Sequence, residues 1–158
     1  MRTPCSPMQL TRGADYAVRA LIHMAATPSG TRFMLPELAH LTGAPEDFLS
    51  KVLQALRHAG FIQSWRGRAG GFEILSAGRE STIRAVVEAI DGPLYLNVCV
   101  SRDGACGRKG VCPAHPVWAR AQTAVLQVLS SKTIASLASE TKPRNACSQL
   151  PQTTKLPA

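Results

Sequence analysis

The stretch that decides the fold is PEDFLSKVLQALRHAGFIQSWRGRAGGFEIL, residues 45–75. Its first half spaces apolar side chains along one face of a helix, and Gly60 ends that pattern. The side chains predicted to face inward are Phe48, Leu49, Val52, Leu53 and Leu56. Its second half contains two strand-like runs, residues 61–65 and 72–75, on either side of a basic segment rich in glycine. A helix followed directly by such a hairpin predicts a recognition helix and a wing.

Two further helices are predicted before this stretch. Residues 11–26 have helical periodicity, with Thr11 available as the N-cap. The apolar positions of this first helix are Ala14, Ala17, Val18, Leu21 and Ala25. Residues 35–41 form a second, short helix with Pro36 in its first turn, and a turn containing Gly43 leads into the third. The chain is therefore predicted to be mainly α with a small β-hairpin wing: a winged helix-turn-helix.

The predicted wing and third helix carry side chains suited to DNA. Glycines let a loop approach the phosphate backbone, and Arg66 and Arg68 can reach phosphates or enter a narrow minor groove. Ser50 and Lys51 lie where a recognition helix meets base edges, and Asp47 can accept a hydrogen bond from a cytosine amino group. The alternative is that the arginines are only solvated and that Asp47 and Ser50 serve as capping and surface residues.

Charge and composition narrow the class of protein. The 158-residue chain has a formal net charge of +8, which favours a polyanionic partner, above all nucleic acid. No phosphate loop, nucleophile elbow or pair of catalytic carboxylates is present, so an enzyme is not predicted. No apolar leader or run of membrane-spanning length occurs, which predicts a cytoplasmic protein that does not enter a membrane. A winged helix used only for protein contacts is the competing hypothesis.

Three cysteines lie in one short loop, Cys99, Cys106 and Cys112, and His115 follows the last of them. The loop is poor in apolar residues, so these thiols have little core in which to be buried as filler. In a reducing compartment such a cluster indicates metal ligation or redox switching rather than a disulfide framework. An iron–sulfur cluster, a zinc ion and a reversible disulfide without metal all fit these residues. Cys5 and Cys147 stand apart and are interpreted as incidental.

The region after the wing is predicted to contain the dimer contact. Residues 81–90 form a short helix, and a longer amphipathic helix follows the cysteine loop. Its apolar stripe consists of Val117, Trp118, Ala121, Val125, Val128 and Leu129. We expect this helix to pair with its twin in a homodimer, which would present two recognition helices to a pseudo-palindromic double-stranded DNA operator. The predicted units are a DNA-binding domain at 8–80, the loop and dimerisation helix at 81–140, including a short helix at 133–139, and a disordered tail at 141–158.

From residue 8 to residue 138 the chain resembles the iron–sulfur winged-helix repressors. The segments that carry the resemblance are Met8–Thr11, Asp15–Ala20, Phe48–Leu53, Leu56–Ile62, Arg66–Phe72, Val87–Pro93 and the cysteine loop through Trp118. The resemblance implies a dimeric transcriptional regulator whose operator affinity changes with a cluster held between the dimerisation helix and the partner's DNA-binding domain. The signal would be redox state, iron–sulfur status or nitric oxide. It also implies a translation start at Met8.

The resemblance offers two fourth ligands beside the three cysteines. In members that regulate cluster biogenesis, a histidine at the place of His115 completes a [2Fe-2S] site. In nitric-oxide-sensing members, an aspartate of the partner subunit's first helix, at the place of Asp15, completes a [4Fe-4S] site. This chain has both residues. It departs from the family in placing six residues, rather than five, between Cys99 and Cys106.

Overall fold

The computed structural model describes residues 10–67, 70–102 and 106–141. Over these residues it contains seven α-helices and one two-stranded antiparallel hairpin, which confirms the predicted fold class. The elements are α1 (Arg12–Ala25), α2 (Leu35–Thr42), α3 (Glu46–His58), β1 (Ile62–Trp65), β2 (Gly71–Ile74), α4 (Ser76–Glu80), α5 (Ile83–Asp91), α6 (His115–Leu129) and α7 (Ile134–Glu140). Cys5, Cys147 and the predicted disordered tail beyond Thr141 lie outside the described residues.

Helix α1 lies at the centre of the fold, where α2, α3, α5 and α7 pack around it. Thr11 is its N-cap, as predicted, because the Thr11 hydroxyl accepts a hydrogen bond from the Ala14 amide at 3.2 Å. The same hydroxyl donates to Asp91 Oδ1 at 2.6 Å, which ties the start of α1 to the end of α5. The buried face of α1 is formed by Gly13, Ala14, Ala17, Ala20, Leu21 and Met24.

Helices α2 and α3 form the predicted helix-turn-helix. Gly43 ends α2 with a positive φ of 73°, a conformation that a residue with a Cβ adopts only at a cost. Four of the five apolar side chains predicted to face inward from α3 are buried. The prediction was wrong for Phe48, which is 42% exposed and packs edge-to-face against Tyr16, with ring centroids 5.9 Å apart. Phe48 lies in the first turn of α3, at the rim of the core rather than over it.

The hairpin pairs Ile62 with Ile74 and Trp65 with Gly71. Phe33 forms an isolated antiparallel bridge to Phe72 of β2. The Phe33 amide donates to the Phe72 carbonyl at 2.9 Å, and the Phe33 carbonyl accepts from the Phe72 amide at 2.8 Å. This bridge anchors the wing to the segment before α2. It was not predicted from the sequence, because a single bridging residue leaves no alternating pattern.

The short helix α4 was not predicted from the sequence either. It carries Arg79, which binds the end of α1. The guanidinium of Arg79 donates to the carbonyls of Ala25 and Thr27, both at 2.8 Å. These two carbonyls lie at and just beyond the end of α1, where helical hydrogen bonds run out. Arg79 therefore closes the C-terminal end of the central helix.

The last helix, α7, returns to the first part of the chain and packs against α1 and α4. Its fully buried Ile134 donates its amide hydrogen to the Ser81 carbonyl at 2.8 Å. Helix α7 thus completes the core of the winged helix, although it follows the predicted dimerisation helix in sequence. The proposed division into two units near residue 80 stays a prediction.

Replacing Ile134 tests whether α7 is part of this core. We expect Ile134→Ala to lower the free energy of unfolding by about 2–5 kcal/mol, because it removes a fully buried side chain. The control is Val111→Ala, at a side chain that is 84% exposed, and its effect should stay within about 0.5 kcal/mol. Urea unfolding at one fixed protein concentration measures both. Equal effects would contradict this account of the core.

Candidate nucleic-acid interface and cysteine loop

The solvent side of α3 presents the residues predicted to read DNA. Asp47 and Lys51 are exposed and Ser50 is partly buried, all opposite the face that packs on the core. Gln54 is exposed one turn after Ser50 and Lys51. Its amide can both donate and accept hydrogen bonds, as base-edge contacts require. Helical spacing from Lys51 could have singled out Gln54, but the sequence analysis did not include it.

The tip of the hairpin can be built only with glycine at its last turn. A Cβ on Gly70 would lie 2.6 Å from the Trp65 carbonyl oxygen and 2.8 Å from that of Gly67. The Gly70 amide donates to the same Gly67 oxygen at 2.9 Å and closes the turn. Arg66 is exposed at this tip, whereas Arg68 lies outside the described residues.

A second arginine, Arg32, lies against the wing near the end of β1. Its guanidinium carbon is 4.2 Å from the centroid of the Trp65 ring, within the range of a cation–π interaction. Trp65 is oriented in turn by its Nε1, which donates to Glu73 at 3.2 Å. Arg32 adds a positive charge to the side of the wing that carries Trp65. The sequence analysis missed it, because only the bridge between Phe33 and Phe72 brings this segment to the hairpin.

The cysteine loop is folded into turns on the part of its course that is described. Cys99 is buried in a single 3-10 turn, Val98–Val100, while Cys106 and Cys112 are partly buried. All three are free thiols. The Cys112 amide donates to the Arg108 carbonyl at 2.9 Å, and the His115 amide donates to the Cys112 carbonyl at 3.1 Å. Successive turns therefore carry the loop directly into α6, whose first residue is His115.

A buried glutamine holds the segment that enters the loop. Gln122 Nε2 donates to the Leu94 carbonyl at 2.7 Å, and Gln122 Oε1 accepts from the Leu96 amide at 2.8 Å. One side chain of α6 thus pairs with the Leu94 carbonyl and the Leu96 amide, in the segment that leads to Cys99. Gln122 was not predicted from the sequence. A polar residue that interrupts the apolar stripe of a helix, next to Ala121, could have indicated a buried hydrogen-bonding role.

The fourth-ligand candidates have different surroundings. His115 Nδ1 is buried and has no hydrogen-bond partner among the residues that the structure describes, which is unusual for a buried polar atom. Asp15 is about half exposed and forms an ion pair with Arg19, with Oδ2 2.8 Å from Arg19 Nη2. Thiolate and imidazole are the donor types that iron–sulfur clusters and zinc take. The residues present therefore fit such a group by their chemistry and by the unsatisfied imidazole nitrogen.

Chemical suitability of the ligands does not require that they lie close together in this structure. Across residues 10–67, 70–102 and 106–141, the structure gathers no group of three or more His, Cys, Asp or Glu side chains in a position to hold a metal ion. Residues 103–105, between the first two cysteines, fall in a gap between the described ranges. The ligand set of Cys99, Cys106, Cys112 and His115 thus stays a prediction.

Helix α6 has two apolar faces. Leu126 and Leu129 pack against a small cluster that contains Ala14 and Val87 of α1 and α5. Val117 and Val128, on the side of α6 turned away from that cluster, are 67% and 70% exposed, and Trp118 is also exposed, at 40%. Large apolar side chains exposed together are typical of an interaction surface. None of the helices in the described part of the chain is long and apolar enough to cross a membrane.

Comparisons with known proteins agree on one family. The model of the Rrf2 family, described as an iron-dependent transcriptional regulator, matches residues 10–140. A candidate HTH-type transcriptional regulator of Mycobacterium tuberculosis is 34% identical over 138 residues, which cover 87% of this chain and 86% of that protein. The protein rrf2 of Nitratidesulfovibrio vulgaris is 28% identical over 149 residues, 93% of this chain and 99% of its own. The curated relatives are transcriptional regulators rather than enzymes.

Solved structures show the same fold. CymR, the global cysteine regulator of Bacillus subtilis, superimposes with a TM-score of 0.70 at 26% identity, over 85% of this chain and 99% of CymR. IscR of T. potens superimposes with a TM-score of 0.66 at 20% identity, over 92% of this chain and 94% of IscR.

Gln122 offers a test of how the loop is held. We expect Gln122→Glu to destabilise the fold by about 1–3 kcal/mol, because glutamate cannot donate to the Leu94 carbonyl and leaves it unpaired. Cys99, which is buried in the native protein, should also react faster with a thiol reagent. Urea unfolding and the rate of thiol modification measure the two effects. The control is Gln127→Glu, an exposed position of the same helix. The account fails if Cys99 reacts at the same rate in both variants.

Proposed function

Because this chain belongs to the Rrf2 family of transcriptional regulators, we propose that it binds its operator as a homodimer and senses redox state, iron–sulfur status or nitric oxide through a cluster at its cysteine loop. The observation that carries this proposal is the buried Nδ1 of His115, which lacks a hydrogen-bond partner in the described part of the chain and stands at the end of a loop with three free thiols. A buried polar atom without a partner is costly, and ligation would remove that cost. Recognition of DNA by the winged helix and sensing by the loop are separable parts of the proposal.

The DNA-contacting surface consists of the solvent side of α3 and the wing. Asp47, Ser50 and Lys51 meet base edges in the major groove, and Arg66 with Arg68 contacts phosphates or the minor groove. Support comes from the exposure of Asp47, Lys51 and Arg66, and from the tight turn at Gly70, which closes the wing tip that carries Arg66. Arg32 and Gln54 extend the same two surfaces.

Dimerisation uses α6. Its exposed Val117, Trp118 and Val128 are large apolar side chains that a second copy of the helix would bury. A two-fold pair of α6 helices places two α3 helices on one side of the dimer, which suits a pseudo-palindromic operator. The regulated DNA is therefore a double-stranded site with two half-sites.

The proposed ligands are Cys99, Cys106, Cys112 and His115. An iron–sulfur cluster supplies one-electron redox chemistry and is open to attack by oxidants and nitric oxide. With His115 as the fourth ligand, we propose the [2Fe-2S] form. Asp15 of the partner subunit, which would complete a [4Fe-4S] site, is the second candidate, and it would have to leave its ion pair with Arg19.

The loop is connected to the DNA-reading part through α6. The segment before Cys99 is held by Gln122, and the same helix packs through Leu126 against the small apolar cluster of Ala14, Val87 and Leu94. A change in the shape of the loop thus bears on α6 and, through it, on α1. We infer that ligation alters the relative placement of the two winged helices and so the affinity for the operator.

Two alternatives share these residues. The same thiols can hold zinc or form a reversible disulfide, and the fold would then act as a regulator without iron. A winged helix that contacts only other proteins is the remaining possibility. The next two experiments separate these alternatives from the proposal.

Removing a wing arginine tests DNA recognition. We expect Arg66→Ala to weaken binding to an operator duplex, selected from random sequences by the native protein, by about five- to tenfold. The slope of affinity against salt concentration should fall by about one, because one phosphate contact is lost. Fluorescence anisotropy at several salt concentrations measures both quantities, and the native complex should contain two chains per duplex. The control is Lys132→Ala, on the connection between α6 and α7. If Arg66→Ala binds as the native protein does, the wing does not contact DNA.

Anaerobic purification tests the cluster. The native protein should be coloured and contain iron and acid-labile sulfide, and Cys106→Ser should lose both. His115→Ala should change the visible and electron paramagnetic resonance spectra, whereas Cys147→Ser, the matched control, should leave them unchanged. A native protein without iron or sulfide would overturn the proposal, and stoichiometric zinc in its place would establish the first alternative. If Asp15→Ala changes the spectra and His115→Ala does not, the fourth ligand is Asp15.

A further inference from the structure

A cleft of about 290 Å³ opens between α5, the segment after it, and α6. Pro93, Leu94 and Leu126 provide its apolar surface, and Arg84, Glu88, Tyr95 and Arg102 provide its polar surface. None of these residues belongs to the proposed ligand set or to the DNA-contacting surface. The volume is at the small end of the range for ligand pockets in proteins.

The charges in this cleft are unbalanced. Arg84 Nε donates to Glu88 Oε1 at 3.2 Å, which pairs one cation with the only acid among the described residues that line the cleft. Within the described ranges, the terminal nitrogens of Arg84 donate no hydrogen bond, and Arg102 has neither a hydrogen bond nor an ion pair. Among the described residues that line the cleft, two guanidinium groups and one carboxylate leave one net positive charge. The guanidinium donors of Arg84 and Arg102 therefore outnumber the acceptor sites of Glu88 in a small, partly apolar space.

We propose that this cleft binds a small organic monocarboxylate with an apolar body. A carboxylate accepts two parallel hydrogen bonds from a guanidinium; Arg102 has the donors for such a pair, and Arg84 keeps its two terminal nitrogens beside the bond from its Nε to Glu88. The body of such a ligand would lie on Leu94 and Leu126. The carboxylate of Glu88 disfavours a compact dianion such as phosphate, because like charges repel. The residues that line the cleft therefore suit a ligand that joins one negative charge to an apolar group.

The position of the cleft gives the ligand a regulatory role. Leu94 is hydrogen-bonded to Gln122 of α6, and Arg102 follows the buried Cys99 by three residues. An occupant would contact α5, the start of the cysteine loop and α6 together. This site is independent of a cluster, so it stands apart from the proposed function.

Calorimetric titration of the full-length native protein, without DNA and in a buffer free of carboxylate and phosphate, tests the site. The probes are isovalerate and benzoate, with benzamide and inorganic phosphate as counter-probes. We expect at least one of the two carboxylates to bind saturably, one molecule per chain, and both counter-probes to bind at least about tenfold more weakly. The proposal is overturned if neither carboxylate binds, or if benzamide or phosphate binds as well as the carboxylates do.

Two variants locate the binding. Arg102→Gln and Arg84→Gln should each weaken carboxylate binding by about tenfold or more, because each removes a charge-assisted pair of donors. Arg12→Gln, which removes an exposed arginine of α1, should leave binding unchanged and is the matched control. Unchanged binding in both cleft variants would contradict the assignment. Operator binding by the same preparations separates a failure of this site from a failure of the proposed function.

Discussion

The burial of one face of α1 is the constraint on which the rest of the structure depends. That face is made mainly of alanine and glycine, so α3, α5 and α7 can approach the α1 backbone closely. Leu21 and Met24 fill the space between the helices and are completely buried. The two ends of α1 are fixed by partners far along the chain, Asp91 at the start and Arg79 at the end. The elements that carry the proposed DNA contacts, α3 and the wing, are positioned relative to this helix.

Helix α6 has a different balance of forces. It is held to the core by a small set of apolar contacts around Leu126 and by the two hydrogen bonds of Gln122, and much of its remaining apolar surface is exposed. Because few contacts hold α6 to the core, its position depends on the partner that covers its exposed faces and on the cysteine loop that precedes it. Both the proposed dimer and the proposed ligation of the thiols act on this helix, which is why the cysteine loop suits a sensor better than a catalyst.

The sequence predicted those features that local rules decide. The N-cap at Thr11, the turns at Gly43 and Gly60, the inward face of α3 and the hairpin each follow from side chains close together in the chain. Features that depend on distant partners were missed: the Phe33 bridge that brings Arg32 to Trp65, the Arg79 clamp, and the role of Gln122. Phe48 was misplaced because periodicity assigns a face to a residue and cannot tell where the core ends. Of the candidate site, the exposed positions on α3 and the wing could be predicted from helical spacing and loop composition. The fourth ligand could not, because a histidine in the same chain and an aspartate in the partner are both chemically suitable.

The central claim is that the state of the cysteine loop sets the affinity for DNA. It is tested most directly by measuring, under anaerobic conditions and at one salt concentration, the dissociation constant for one operator duplex with the protein as purified and again after treatment with an iron chelator. The account predicts that the two values differ by about 5- to 150-fold, the range typical of coupled sites, and that Cys147→Ser shows the same ratio. Equal dissociation constants for the two forms would contradict it.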